Sequence, residues 1–212
     1  MSILAEIATQ VQKGKAQDVA TLVEKAIEEG LSSQDILDEG LLKGMMELGV
    51  RFKNNEVFVP EVLIAARALN TGTAVLKEHL VADNVNPIGK VVLATVAGDL
   101  HDIGKNLVRM MLEGGGFEVI DLGTDVPNSK IVEAVQQHNP DVLALSALLT
   151  TTMGVQADVI DALKAAGVRD QVKVMVGGAP ITSTFAKEIG ADCYSEDASD
   201  AATTAKQVLG LN

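Results

Sequence analysis

The sequence predicts a two-part chain of the α/β class: a bundle of helices, then a doubly wound sheet of five parallel strands. Three observations predict it. The apolar period is helical up to about Ala82 and then changes to short, nearly continuous apolar runs. Those runs alternate with helical stretches, the pattern of strands buried on both faces of a parallel sheet. Hydrophobic residues make up 47% of the 212 residues but aromatics only 2%, with no Trp. Such a core must be built from Ala, Val, Leu, Ile and Met, which suits close-packed helices and parallel strands.

The elements follow in order. Ile3, Leu4, Ile7 and Val11 form one helical face, and Val19, Leu22, Val23, Ala26 and Ile27 repeat the rhythm, with Gly30 as a stop. Ser32 with Asp35 three residues later is a variant capping box for a third helix carrying Ile36, Leu37, Leu41, Met45 and Leu48. Pro60 fits the first turn of a fourth helix running through Val62, Leu63, Ala66 and Leu69. Four short amphipathic helices make a bundle over residues 1–84. The turn-rich stretch Asp83-Asn84-Val85-Asn86-Pro87-Ile88-Gly89 holds the boundary, with residues 85–89 as linker and 90–212 as the second domain. There Lys90–Val96, Phe117–Leu122, Val142–Ser146 and Val172–Val176 read as strands, with a weaker fifth near Ala191–Tyr194. The spacing fits a Rossmann-like, flavodoxin-like domain, in which ligands collect beyond the carboxyl ends of the strands.

Composition narrows the function classes. A net charge of −12 opposes nonspecific binding to nucleic acid or to an anionic membrane. Cys193 is the only cysteine, so no disulfide forms within the chain and a reducing compartment fits. The N-terminus lacks a signal-peptide pattern and no apolar run approaches a membrane span, so a cytoplasmic protein is expected.

Three signals fall at the carboxyl ends of the predicted strands. Asp99-Leu100-His101-Asp102-Ile103-Gly104 leaves the first strand and opens onto a helix. A histidine held there can present one ring nitrogen to a metal while a carboxylate two residues upstream fixes the other. Ser146-Ala147-Leu148 ends the third strand, and Gly177-Gly178 ends the fourth. Taken alone, each has a plainer reading: a loop histidine, an aspartate capping the next helix, ordinary strand-end hydroxyls at Ser146 and Thr150, a turn. His79 and His138 read as surface residues, Cys193 as a small buried hydrophobe, and Glu196 and Asp197 as a solvated loop.

Together these residues resemble the cobalamin-binding domain of methionine synthase and of the corrinoid proteins of methyltransferase systems. The pattern D-x-H-x-x-G is Asp99, His101 and Gly104; S-x-L is Ser146, Ala147 and Leu148; the paired glycine is Gly177 and Gly178. The helical half resembles the family's cap domain, through Gly49-Val50-Arg51-Phe52 and Glu56 to Glu61. The resemblance implies cobalamin, as methylcobalamin or a related corrinoid, bound with its own base detached and His101 as lower cobalt ligand. It implies Asp99 as the histidine's partner, and Thr152, where methionine synthase has Ser, as the hydroxyl extending that pair. It gives Gly104, Gly177, Gly178, Ser146 and Thr150 to the nucleotide tail, Leu148 to the cofactor site, and Phe52 and Val59 to the upper face.

The function implied is a methyl carrier of one-carbon metabolism and not a complete enzyme. A substrate-specific methyltransferase would load it, a second acting on tetrahydrofolate or coenzyme M would unload it, and a reductive activating protein would rescue oxidised cobalt. The alternatives are a cobalamin-dependent sensor, which would want an output domain, and the cobalamin subunit of an adenosylcobalamin mutase, which can lack the helical cap. The methyl donor is not readable from this chain.

Overall fold

The computed structural model describes residues 2–211. The chain divides into two compact units. One comprises residues up to Pro87 together with Gly114–Gly116, and the other Ile88–Glu113 with the residues from Phe117 on.

The first unit is helical: α1 (Ile3–Gln12), α2 (Ala16–Glu28), α3 (Ser33–Asp35), α4 (Lys43–Lys53) and α5 (Val59–Ala82). Its core is aliphatic, with Ile7, Val11, Val19, Val23, Leu41, Leu48, Val62 and Leu76 fully buried. Ser32 caps α3 by accepting the Asp35 N–H at 3.0 Å. Glu61 reaches back from the first turn of α5 to accept the Phe58 N–H at 3.1 Å. Close approach depends on Gly44, where a Cβ would lie 2.6 Å from the Ala8 carbonyl oxygen.

Two details differ from the sequence expectation. The third helix is not regular: between α3 and α4 the segment Ile36–Leu42 is a π-helical turn. Ile36 and Leu41, five residues apart, are both fully buried, and only the wider turn keeps that step on one face. The fourth helix is not short. It runs 24 residues to Ala82, and beyond Leu69 only Gly72 and Leu76 are buried, a mark too sparse to read in advance.

The second unit is a five-stranded, all-parallel sheet of order β2-β1-β3-β4-β5. Its strands are β1 (Lys90–Thr95), β2 (Glu118–Asp121), β3 (Val142–Ser146), β4 (Lys173–Gly177) and β5 (Cys193–Tyr194). The helices are α6 (Ile103–Gly114), α7 (Asn128–His138), α8 (Val155–Ala165), α9 (Ser183–Glu188) and α10 (Ala198–Val208). Alternation along the strands sorts the core into two layers. Val92, Ala94, Leu143, Leu145, Val174 and Val176 pack with α7 and α8. Val91, Leu93, Val142, Ala144 and Met175 face the other way, with Leu112 of α6 and with Ala201 and Ala205 of α10. The edge strand β5 is only two residues long, which limits exposed backbone.

Candidate functional site

The register sets Thr95, Ser146 and Gly177 side by side at the carboxyl ends of β1, β3 and β4. Strand order reverses between β1 and β3, and the loops leaving those strands part to form a crevice. The β1 loop carries Asp99 and His101; the β3 loop carries Leu148, Thr150 and Thr152.

Asp99 organises this edge. Its side chain is fully buried, a costly place for a carboxylate unless every lone pair is used. One oxygen, Oδ1, accepts the His101 backbone N–H at 3.1 Å and lies 2.7 Å from His101 Nδ1. The other, Oδ2, accepts the Thr152 hydroxyl at 2.7 Å and the N–H groups of Leu148 at 2.8 Å and Leu149 at 3.3 Å. Burial pushes the carboxyl upward, but the hydrogen bonds from Thr152, Leu148 and His101 outweigh it and hold Asp99 well below the ordinary carboxylate range. An ionised carboxylate only accepts, so Nδ1 carries the proton. In the neutral ring Nε2 is then a free lone pair, on a side chain 49% exposed.

A single imidazole offers one ligand position, which suits a metal that brings its own equatorial ligands. Among the described residues no group of three or more His, Cys, Asp or Glu could hold a metal ion. The surroundings fit a large, flat, partly apolar group: Leu100 and Ile103 are 74% and 72% exposed beside His101, and Leu148 and Leu149 are exposed on the β3 loop. A Cβ built on Gly104 meets no atom within 4 Å, so the helix start there borders open space. Gly178 is different. At φ +128°, a Cβ would lie 1.9 Å from the Ala147 carbonyl oxygen, so only glycine lets these two loops touch. Gly177 sits beneath the Ser195 carbonyl oxygen, 3.1 Å from a built Cβ.

Of the residues named from the sequence, Asp99, His101 and Thr152 form one hydrogen-bonded cluster. Ser146 is half-buried at the end of β3, and Thr150 is exposed beyond it. Phe52 and Val59 belong to the helical unit, both half-buried, at the end of α4 and the start of α5; the exposed ring of that stretch is Phe58. Asp197 is more than a solvated loop residue: its carboxylate caps α10 by accepting the N–H groups of Ser199 and Asp200. His79 is exposed, and His138 half-buried. Cys193 is half-buried in β5, its thiol pushed up to about 12 by burial and by Asp192, against a smaller pull from Lys173.

Other buried polar residues carry no local signal in the sequence. Gln156 is fully buried, donating to the carbonyls of Leu145 and Gly177 at 3.1 Å each, and its Oε1 has no hydrogen-bond partner among the described residues. Lys105, 3% exposed, pairs with Asp121 at 2.5 Å. A lysine in the first turn of an amphipathic helix ordinarily reads as solvated, and its partner lies sixteen residues on.

Comparison with known proteins bears on the ligand directly. A family model described as a B12 binding domain matches residues 89–203, and a second of the same description matches residues 3–77. The chain belongs to the cobalamin-binding corrinoid proteins. This corrinoid protein is 46% identical over 208 residues to the dimethylamine corrinoid protein of Methanosarcina barkeri, covering 98% of this chain and 97% of that one. It is 43% identical to trimethylamine corrinoid protein 1 of Methanosarcina acetivorans, over 90% of this chain and 89% of the relative. Its fold matches one chain of the methanol:cobalamin methyltransferase complex of Methanosarcina barkeri with a TM-score of 0.88 at 32% identity, covering 98% of this chain and 80% of that one. Its cofactor is a corrinoid. No helix among the described residues is long and apolar enough to cross a membrane.

Proposed function

We propose that this corrinoid protein is the methyl carrier of a methyltransferase system, loaded from a methylamine by a donor-specific methyltransferase. A second methyltransferase, acting on tetrahydrofolate or coenzyme M, removes the methyl group, and a reductive activating protein restores oxidised cofactor. The observation that carries this reading is the Asp99-anchored imidazole with its Nε2 unpaired at the strand-order switch point.

When bound, the corrinoid supplies a cobalt centre able to take up and release a methyl group. The protein's residues do the rest. His101 would hold cobalt through Nε2. Asp99 keeps the proton on Nδ1, because its carboxylate is fully hydrogen-bonded and stays ionised. Thr152 locks the carboxylate's far oxygen, so the aspartate cannot rotate away from the ring. Gly104, Gly177, Gly178, Ser146, Leu148 and Thr150 line the strand ends where the nucleotide tail would run. Phe52 and Val59 are assigned to the upper face by their resemblance to the family's cap residues.

Relatives named for dimethylamine and trimethylamine are 46% and 43% identical to this chain, nearly the same distance from it. Donor choice therefore rests with the partner methyltransferase. The test is to load the protein with cobalamin, reduce it, and add monomethylamine, dimethylamine, trimethylamine or methanol with the matching methyltransferase. A donor-dependent change in the corrinoid spectrum, with loss of one methyl group per cobalt, is expected for one methylamine. Silence with every methylamine and its methyltransferase would overturn the proposal. His101→Ala should still take up corrinoid but lose the signature of nitrogen coordination; an unchanged spectrum would assign the lower ligand to another group.

A further inference from the structure

Two residues outside the Asp-x-His pattern hold the main chain that carries His101. Thr95, the last residue of β1, is fully buried, and its hydroxyl donates to the His101 carbonyl at 2.9 Å. Its own backbone is taken by the loop between β2 and α7: its N–H donates to Gly123 O at 3.0 Å, and its carbonyl accepts the Val126 N–H at 3.1 Å. The same loop supplies Asp125. Its N–H donates to the Asp99 carbonyl at 2.9 Å, and its Oδ1 accepts the Gly98 N–H at 2.7 Å. Asp125 does this at φ +52°, a left-handed conformation uncommon outside glycine and retained where the surroundings demand it.

The ligand loop is thus tied from two sides. The Asp99 carboxylate binds it to the β3 loop through Leu148, Leu149 and Thr152. Thr95 and Asp125 bind it to β1 and the β2–α7 loop at Gly98 N–H, Asp99 carbonyl and His101 carbonyl. The imidazole itself is half exposed, with Asp99 its one side-chain partner among the described residues. Its height above the sheet is therefore set by where the main chain is pinned.

We propose that Thr95 and Asp125 are positioning residues for His101, fixing the ring so that Nε2 can ligate cobalt, with the β2–α7 loop as their frame. This rests on His101 being the lower ligand. Removing such a support typically weakens ligation by about ten- to a hundredfold. The experiment loads wild type, Thr95→Val, Asp125→Gly and His101→Ala with cobalamin. Each is reduced by one electron, and the nitrogen splitting in the cobalt paramagnetic resonance spectrum is read. In parallel, corrinoid uptake is measured by titration. Asp125→Gly relieves the positive φ, which offsets part of the folding cost of removing the carboxylate.

Thr95→Val and Asp125→Gly should lower the ratio of nitrogen-ligated to unligated cobalt by about tenfold, with corrinoid uptake largely kept. Thr95→Ser and Asp125→Asn, which keep the donor and the acceptor, should restore it. A wild-type ratio in a folded Asp125→Gly protein and in Thr95→Val would overturn the positioning role while leaving the ligand assignment intact. A wild-type spectrum identical to that of His101→Ala would instead remove the ligand assignment, and the proposal with it.

Discussion

The two ends of the sheet use the same device for different purposes. At the amino ends of the strands, Asp141 accepts the Lys90 N–H at 2.7 Å, and Asp192 accepts the Val174 N–H and the Arg169 guanidinium, each at 2.7 Å. Both carboxylates stitch neighbouring strands at their starts. At the carboxyl ends, Asp99 also captures backbone N–H groups, but one of its oxygens faces an imidazole. A carboxylate that satisfies backbone donors stabilises a fold wherever it sits; buried beside a half-exposed histidine, it also fixes a tautomer. The difference lies in the side chain that shares the carboxylate, a guanidinium at Asp192 and an imidazole at Asp99.

Asp99→Ala should break the comparison hardest. It strands the Thr152 hydroxyl, the Leu148 N–H and the His101 N–H in a buried site, at a cost of about 3 kcal/mol or more. Chemical denaturation would read that loss, and nitrogen ligation of cobalt should vanish with it. An acid titration of the apo-protein sharpens the point. Asp99 is depressed in the folded state, so its contribution is present above the unfolded carboxyl value of about 3.9 and is lost as pH falls through the lower folded value. The stability gap between wild type and Asp99→Asn should therefore be flat near neutrality and narrow only below about pH 4.

At the other end, Asp192→Ala removes an ion pair 23% exposed on the aspartate side. It should cost about 1–2 kcal/mol by the same denaturation measurement and leave cobalt ligation unchanged. The smallest effect concerns Cys193. With its thiol pushed up to about 12, alkylation at pH 8 should run about tenfold or more slower than in the unfolded chain. Asp192→Ala should raise that rate modestly, since the aspartate is one cause of the shift.

Much of this was legible in the sequence, for physical reasons. Parallel strands buried on both faces must be apolar throughout, so β1, β3 and β4 announce themselves as runs. The edge strand β2 is only half-buried, and its bounds came out shorter than the apolar run Phe117–Leu122. Asp99 and His101 are two residues apart, and local spacing carries their contact. Asp125 reaches Gly98 across 27 residues, and Gln156 reaches Gly177 across 21. Neither contact leaves a periodic or local trace, because the sheet order and not the chain brings those residues together.

The wide turn at Ile36–Leu42 bears on how insertions are absorbed. Shortened by one residue there, by loss of Asp38 or Glu39, the chain could close into ordinary α-helix. Ile36 and Leu41 would then stand four apart, and Met45 and Leu48 would follow in step on the same face. This stretch of chain holds one residue more than its packing requires. Its phase is kept by widening a turn, so the length of the helix, as much as its composition, is part of what the sequence encodes.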